Sequence, residues 1–194
     1  MFKSVLRTTG SATSPRGGAL PLDFDDVYAR HFAFVWRCLR GLGISEVALD
    51  DACQDVFVVV HRNLPEFRSE STLPTWLFGI ARNVASNHRR AIQRKQAPVV
   101  VLDEETAGAA HEGPGPLERA QDHEAAEFVQ HFMDGLDEPK RALFVLAFLE
   151  ESPIPDVAAA LGIPLNTAYS RLRRLREDFG RALATREARR GGPP

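Results

Sequence analysis

The chain is 194 residues long, 44% hydrophobic and 26% charged, with a formal net charge of −2. Such proportions fit a soluble globular protein of one large domain or two small ones. They exclude a membrane-spanning helix, because no apolar run approaches the roughly 20 residues that one requires. Cys38 and Cys53 have no CxxC spacing and no histidine cluster beside them, so they read as reduced core residues rather than as a disulfide or metal ligands. The N-terminal residues are weakly basic and lack a long apolar stretch, which makes a poor signal peptide and a cytoplasmic location the expectation.

The small net charge hides a segregation. Residues 82–95 carry five basic side chains and no acid, residues 103–127 eight acids against Arg119 alone, and residues 165–190 eight arginines against three acids. Two basic blocks divided by an acidic one make two separate electrostatic footprints.

In chain order, residues 1–22 are rich in Ser, Thr, Gly and Pro, show no periodicity and read as a disordered extension. A first helix follows Asp23, with Phe24, Val27, Tyr28, His31, Val35 and Leu39 along one side, and Gly41 and Gly43 end it. Ser45 is placed to cap a second helix that turns Leu49, Ala52, Cys53, Val56, Phe57 and Val60 inward. Its outer face carries Asp50, Asp51, Gln54 and Asp55, then Val58 and Val59, a pattern that fits a protein partner and a solvated face equally. After Pro65 comes a polar loop, and a third helix runs from about Pro74 to Lys95 with Trp76, Leu77, Ile80, Ala81 and Val84 as its stripe. Arg82, Asn83, Asn87, His88, Arg89 and Arg90 give its later half the character of a surface that grips single-stranded nucleic acid.

Helical signal fades over residues 97–116, a Pro- and Gly-interrupted acidic linker. The expected organisation is therefore an extension (1–22), a helical domain (23–96), the linker (97–116), a second helical domain (117–184) and a disordered tail (185–194). In the second domain Phe128, Phe132, Met133 and Leu136 share a face, and Pro139 opens a helix bearing Leu143, Phe144, Leu146 and Ala147. Next, Pro155 and Asp156 suit a helix start, Val157, Ala158 and Leu161 recur at helical spacing, and Gly162 can end the helix at positive φ. A following helix from Leu165 or Asn166 buries Ala168, Leu172, Leu175 and Phe179 and turns Thr167, Tyr169, Ser170, Arg171, Arg173 and Arg174 outward. This is the pattern of a helix-turn-helix, whose outer face enters a major groove, although any two-helix hairpin shares part of it. No phosphate loop, nucleophile elbow or paired carboxylates occur, so neither catalysis nor a cofactor or metal is expected.

Three of these stretches together resemble the extracytoplasmic-function (ECF) group of the sigma-70 family of bacterial transcription initiation factors. ALDDACQDVF, with Gln54, Asp55, Val56 and Phe57, resembles the family's core-polymerase-binding helix. FRSESTLPTWLFGIARNVASNHRR, with Thr75, Trp76, Leu77, Ala81, Arg82 and Asn83, resembles the loop and helix that open the −10 element. SPIPDVAAALGIPLNTAYSRLRRLRE resembles the helix-turn-helix that reads the −35 element. Ala168, Leu175 and Pro74 depart from the usual wording, the first two on the buried face.

The resemblance implies an all-α protein of two small helical domains joined by a flexible acidic linker. It implies contacts with core RNA polymerase, on the β′ clamp and the β subunit, through Asp51, Gln54, Asp55 and Phe57. Trp76, Arg82, Asn83, Asn87, Arg89 and Arg90 would act at −10 DNA, and Thr167, Tyr169, Ser170, Arg171, Arg173 and Arg174 at −35 DNA. Arg171 is the first choice for a base-edge contact, with Arg173, Arg174 and Arg176 on phosphates. An anti-sigma protein is the expected regulator, and no membrane insertion is implied. The rival reading is an autonomous helix-turn-helix regulator that acts without polymerase.

Overall fold

Asp23 sits in an extended conformation and accepts a hydrogen bond from the Asp26 amide at 3.3 Å, so the first helix starts where the sequence places its cap. In the computed structural model, which describes residues 22–95 and 116–190, the chain is all-α, with no strand among the described residues. Helix α1 (Phe24–Gly41) buries Val27, Val35, Cys38 and Leu39, and Gly43 leaves it at φ 88°. Helix α2 (Glu46–Asn63) includes the β-prone Phe-Val-Val-Val run, because Val56, Phe57 and Val60 are inward at helical spacing and their packing outweighs local propensity. A 3₁₀ turn (Leu64–Glu66) containing Pro65 follows, and then α3 (Leu73–Lys95). The Thr72 hydroxyl accepts from the Thr75 amide at 3.4 Å and meets the Thr75 hydroxyl at 2.8 Å. Helices α1, α2 and α3 pack on one another as a three-helix bundle.

The second half contains α4 (Pro116–Asp134), α5 (Glu138–Phe144), a π-helical turn (Val145–Leu149), α6 (Ile154–Leu161) and α7 (Leu165–Arg190). Asp137 caps α5 by accepting from the Lys140 amide at 2.9 Å, with Pro139 in the first turn. Its core is aromatic: Phe132 lies edge-on to Phe179 at 5.0 Å, and Phe144 stacks on Phe148 at 4.8 Å.

Three observations differ from the sequence expectation. The tail expected to be disordered from residue 185 is helical to Arg190. Arg186 explains this: it donates to the Glu124 carbonyl at 3.0 Å, pairs with the Glu124 carboxylate at 2.9 Å and lies over the Phe128 ring. The two halves also do not stand apart. They share one hydrophobic core, in which α3 packs on α6 and α1 on the π turn. Third, Gly41, expected only as a helix end, is the point of closest approach. A Cβ built there would lie 2.7 Å from a methyl of the buried Val145. The extension 1–21, most of the linker 97–116 and residues 191–194 lie outside the described residues.

Candidate nucleic-acid and protein interfaces

The helix-turn-helix closes as its sequence dictates. Gly162 adopts φ 64°, the Ile163 amide donates back to the Ala158 carbonyl at 3.0 Å, and α7 starts at Leu165. Val157, Ala158, Ala168, Leu172 and Leu175 are buried and hold α7 to the core. On the opposite side Tyr169 (53% exposed), Ser170, Arg171, Arg173 and Arg174 face outward, with Thr167 half-buried beside them. Ser170 donates its hydroxyl to the Thr167 carbonyl at 3.0 Å, and among the described residues Arg173 makes one ion contact, a long 3.9 Å approach to Glu177. Arg171 and Arg174 have no hydrogen-bond or ion partner among the described residues. Arg176, expected on a phosphate, lies over the Phe148 ring at 5.7 Å.

On α3 the expected −10 residues separate into two groups. Asn83, Asn87 and Arg90 are exposed, and Arg90 donates to the Ser86 hydroxyl at 2.9 Å. Arg82 is half-buried and forks onto Glu138 of α5, with Nε and Nη2 at 2.5 and 3.1 Å from the two carboxylate oxygens. That bidentate bond raises the Arg82 pKa and lowers the Glu138 pKa below the usual carboxylate value, working against the desolvation of each. Arg89 donates to the Leu42 carbonyl at 2.6 Å, and burial lowers its pKa. Trp76 is also half-buried, its ring 5.0 Å from that of Phe67 in the loop before α3.

Along α2, Asp51, Gln54 and Asp55 are exposed, and Asp55 is tied to α3 by a 3.0 Å contact with His88 Nε2. Phe57 is not exposed with them. At 4% exposure it is the floor of an aromatic groove of about 720 Å³, lined also by Phe24, Tyr28, Phe32, Gln54 and Val58. Tyr28 lies 4.7 Å from Phe57. Sequence reading placed Phe57 in the α2 core yet counted it among the contacts. It missed the groove, although Phe24, Tyr28 and Phe32 follow the i, i+4, i+8 spacing that signals one helix face. The cysteines are buried as expected. Burial raises both thiol pKa values, that of Cys53 to about 11, so neither is a thiolate at neutral pH. No group of acidic, histidine or cysteine side chains among the described residues is arranged to hold a metal.

A helix-turn-helix with an arginine-bearing outer face, joined to a three-helix bundle with an acidic, aromatic-grooved helix, defines a DNA-binding protein of transcription. Residues 27–95 match the family described as Sigma-70 region 2 and residues 129–179 the one described as Sigma-70, region 4. The ECF RNA polymerase sigma-E factor of Escherichia coli (strain K12) is 31% identical over 133 residues, which cover 66% of this chain and 69% of that protein. RNA polymerase sigma factor CnrH of Cupriavidus metallidurans is 29% identical over 157 residues, covering 79% and 82%. The solved structure of CnrH in complex with the cytosolic domain of CnrY aligns with a TM-score of 0.61 at 26% identity, covering 84% of this chain and 88% of that one. Sigma factor RpoE bound to the anti-sigma factor NepR, from Bartonella quintana, shares the fold, with a TM-score of 0.65 at 21% identity over 83% and 96%. The chain belongs to the ECF group of the sigma-70 family of RNA polymerase sigma factors.

Proposed function

We propose that this sigma factor acts through two separate surfaces, one for the polymerase and one for duplex DNA. Asp51, Gln54 and Asp55, beside the groove floored by Phe57, would meet the β′ clamp of core polymerase. Asn83, Asn87, Arg90 and, once released from Glu138, Arg82 would hold the melted −10 strand, with Trp76 and Phe67 shaping the loop above them. Outward-facing residues of α7 would read the −35 duplex, Arg171 on a base edge and Arg173 and Arg174 on phosphates. Phosphate contacts set affinity and register while one or two base contacts set sequence choice. The work is done by binding energy in the cytoplasm, without catalysis by this chain.

The observation that carries this reading is the outer face of α7, where arginines stand opposite a fully buried stripe. CnrH and RpoE are each known in complex with another chain, CnrY and the anti-sigma factor NepR. By likeness to them, an anti-sigma protein is the proposed regulator here.

Run-off transcription with purified core polymerase tests the proposal. Arg171→Ala is expected to lower transcription by about tenfold, one base contact's worth, and to relax choice at one or two −35 positions with core binding intact. Equal loss of core binding would refute the assignment. Tight operator binding by the free chain, with no transcript from any promoter, would favour an autonomous regulator.

A further inference from the structure

The groove floored by Phe57 lies open along α1 and α2, with the large side chains of Tyr28 and Val58 both exposed on its walls. Apolar side chains exposed side by side mark a surface that gains by being covered. Its polar residues are divided between its two ends. Phe24 meets His61 edge-on at 5.0 Å, so that end also holds Arg62. A short turn joins α1 to α2 and makes them antiparallel, which leaves Asp50 and Gln54 toward Phe32. Asp50 and its neighbour Asp51 are exposed, and neither has a hydrogen-bond or ion-pair partner among the described residues. An occupant that fits carries large apolar side chains on one helix face and bases on its flank.

Of the stretches outside the described residues, one has that chemistry. Residues 96–115 carry four acids and no lysine or arginine, which Asp50 and Asp51 would repel, and residues 191–194 have no large apolar side chain. Residues 1–21 carry Lys3, Arg7 and Arg16 and no acid. Within them Phe2, Val5 and Leu6 follow the i, i+3, i+4 spacing of one helix face, with Lys3 and Arg7 a turn apart on its flank. The distances also allow it. Phe24, at one end of the groove, is two residues beyond Leu22, where the described chain begins. The α1 wall between Phe24 and Phe32 is about 12 Å long. Residues 8–21, which contain five Gly and Ser, would span about 20 Å as a coil, enough to place residues 2–7 anywhere along it.

We propose that residues 2–7 of this chain seat in the groove as a tethered cap. Phe2, Val5 and Leu6 lie against Tyr28 and Phe57, and Lys3 and Arg7 lie toward Asp50 and Asp51. Tethering sets an effective concentration in the millimolar range, so even a weak contact of this size is closed most of the time. The cap then lies beside Asp51, Gln54 and Asp55 and must lift before the polymerase clamp docks. That last step rests on the proposed reading of α2, whereas the seating itself does not.

The test uses the two tyrosines of the chain, Tyr28 in the groove and Tyr169 on α7, which are 43% and 53% exposed. Nitration of the full chain by tetranitromethane, followed at each tyrosine by mass spectrometry, thus carries its own reference. Tyr28 should react about fivefold more slowly in wild type than in Phe2→Ser/Leu6→Ser, with the Tyr169 rate the same in both. Neither substitution alters a described residue, so the folded halves are left as they are. Lys3→Glu/Arg7→Glu keeps the apolar side chains and reverses the bases. It should raise the Tyr28 rate by about two- to threefold at low salt, and by less as salt screens the contact. Equal Tyr28 rates in wild type and Phe2→Ser/Leu6→Ser overturn the proposal. Protection that fades on dilution from about 50 to about 1 µM overturns it as well, because a tethered contact is independent of concentration and the occupant would then be a second copy. Failure of every variant to bind core polymerase would sink the clamp role alone, since nitration reads the cap without polymerase.

Discussion

Helices α3 and α7 both carry a row of arginines, and the structure treats them in opposite ways. On the first half of α7, Arg171, Arg173 and Arg174 are exposed opposite the buried stripe, and Arg171 and Arg174 have no hydrogen-bond or ion partner among the described residues. On α3, Arg82 and Arg89 are drawn in, one onto Glu138 and the other onto the Leu42 carbonyl. The formal net charge of each helix is the same, five basic side chains on α3 against eight arginines and three acids on α7, so net charge cannot explain the contrast. What differs is burial. Helix α7 packs on α5 and α6, whereas α3 packs on α1, α2 and α6. A cation on a helix packed from two sides must find an internal acceptor or lose its hydration without return. Arg171 and Arg174 of α7 are unpaired among the described residues, whereas Arg82 and Arg89 of α3 each hold an internal acceptor.

The largest expected effect would remove one side of this comparison altogether. Leu172 is 2% exposed and holds α7 against α6 and the aromatic cluster. Leu172→Ala should cost about 2–5 kcal/mol, read as a lower urea midpoint, and −35 binding should fall with it. A change below about 1 kcal/mol would mean that α7 is not anchored by its buried stripe. A smaller effect sharpens the contrast between used and unused arginines. Arg37→Ala strands the buried Glu150 carboxylate and should cost about 1–2 kcal/mol, tempered because Arg37 itself is half in water. Arg173→Ala should stay within about 0.5 kcal/mol, as expected of an exposed side chain with one long contact. Equal effects from the two would erase the distinction drawn here.

The smallest effect concerns pH. Because Arg82 lowers the folded-state pKa of Glu138, the pair's stabilisation is complete above the unfolded carboxylate pKa. It is lost as pH falls through the lower folded value. The difference in urea midpoint between wild type and Glu138→Gln should therefore stay level from neutral pH down to about 4.5 and shrink below about 4. A difference that grows with acidification would contradict the pairing.

Much of this was legible in the sequence because it is local. Apolar spacing located α1, α2, α3 and the α6–α7 pair, Asp23 and Gly162 marked their ends, and the outer face of α7 followed from its buried one. What escaped was distant along the chain. Arg82 and Glu138 are 56 residues apart, and Arg37 and Glu150 are 113 apart. No periodicity links such partners, so α3 read as an open basic surface. Phe57 was ambiguous for a related reason. Its place on α2 gives its direction, but the rings of Phe24, Tyr28 and Phe32 decide that it is the base of a groove. The length of α7 likewise depends on Glu124 and Phe128 of α4, which Arg186 reaches from 62 residues away.

The π-helical turn Val145–Leu149 has a consequence for how the halves are indexed. An α-helix advances by about 100° per residue, and a π turn inserts one extra residue without lengthening the helix much. Val145 thereby meets Gly41 while Glu150, a few positions on, still points at Arg37. With Ala147 deleted, Glu150 would swing about a quarter of a circle around the axis and leave its guanidinium. That single surplus residue works as a gear tooth, setting the angle at which the helix-turn-helix is carried relative to α1.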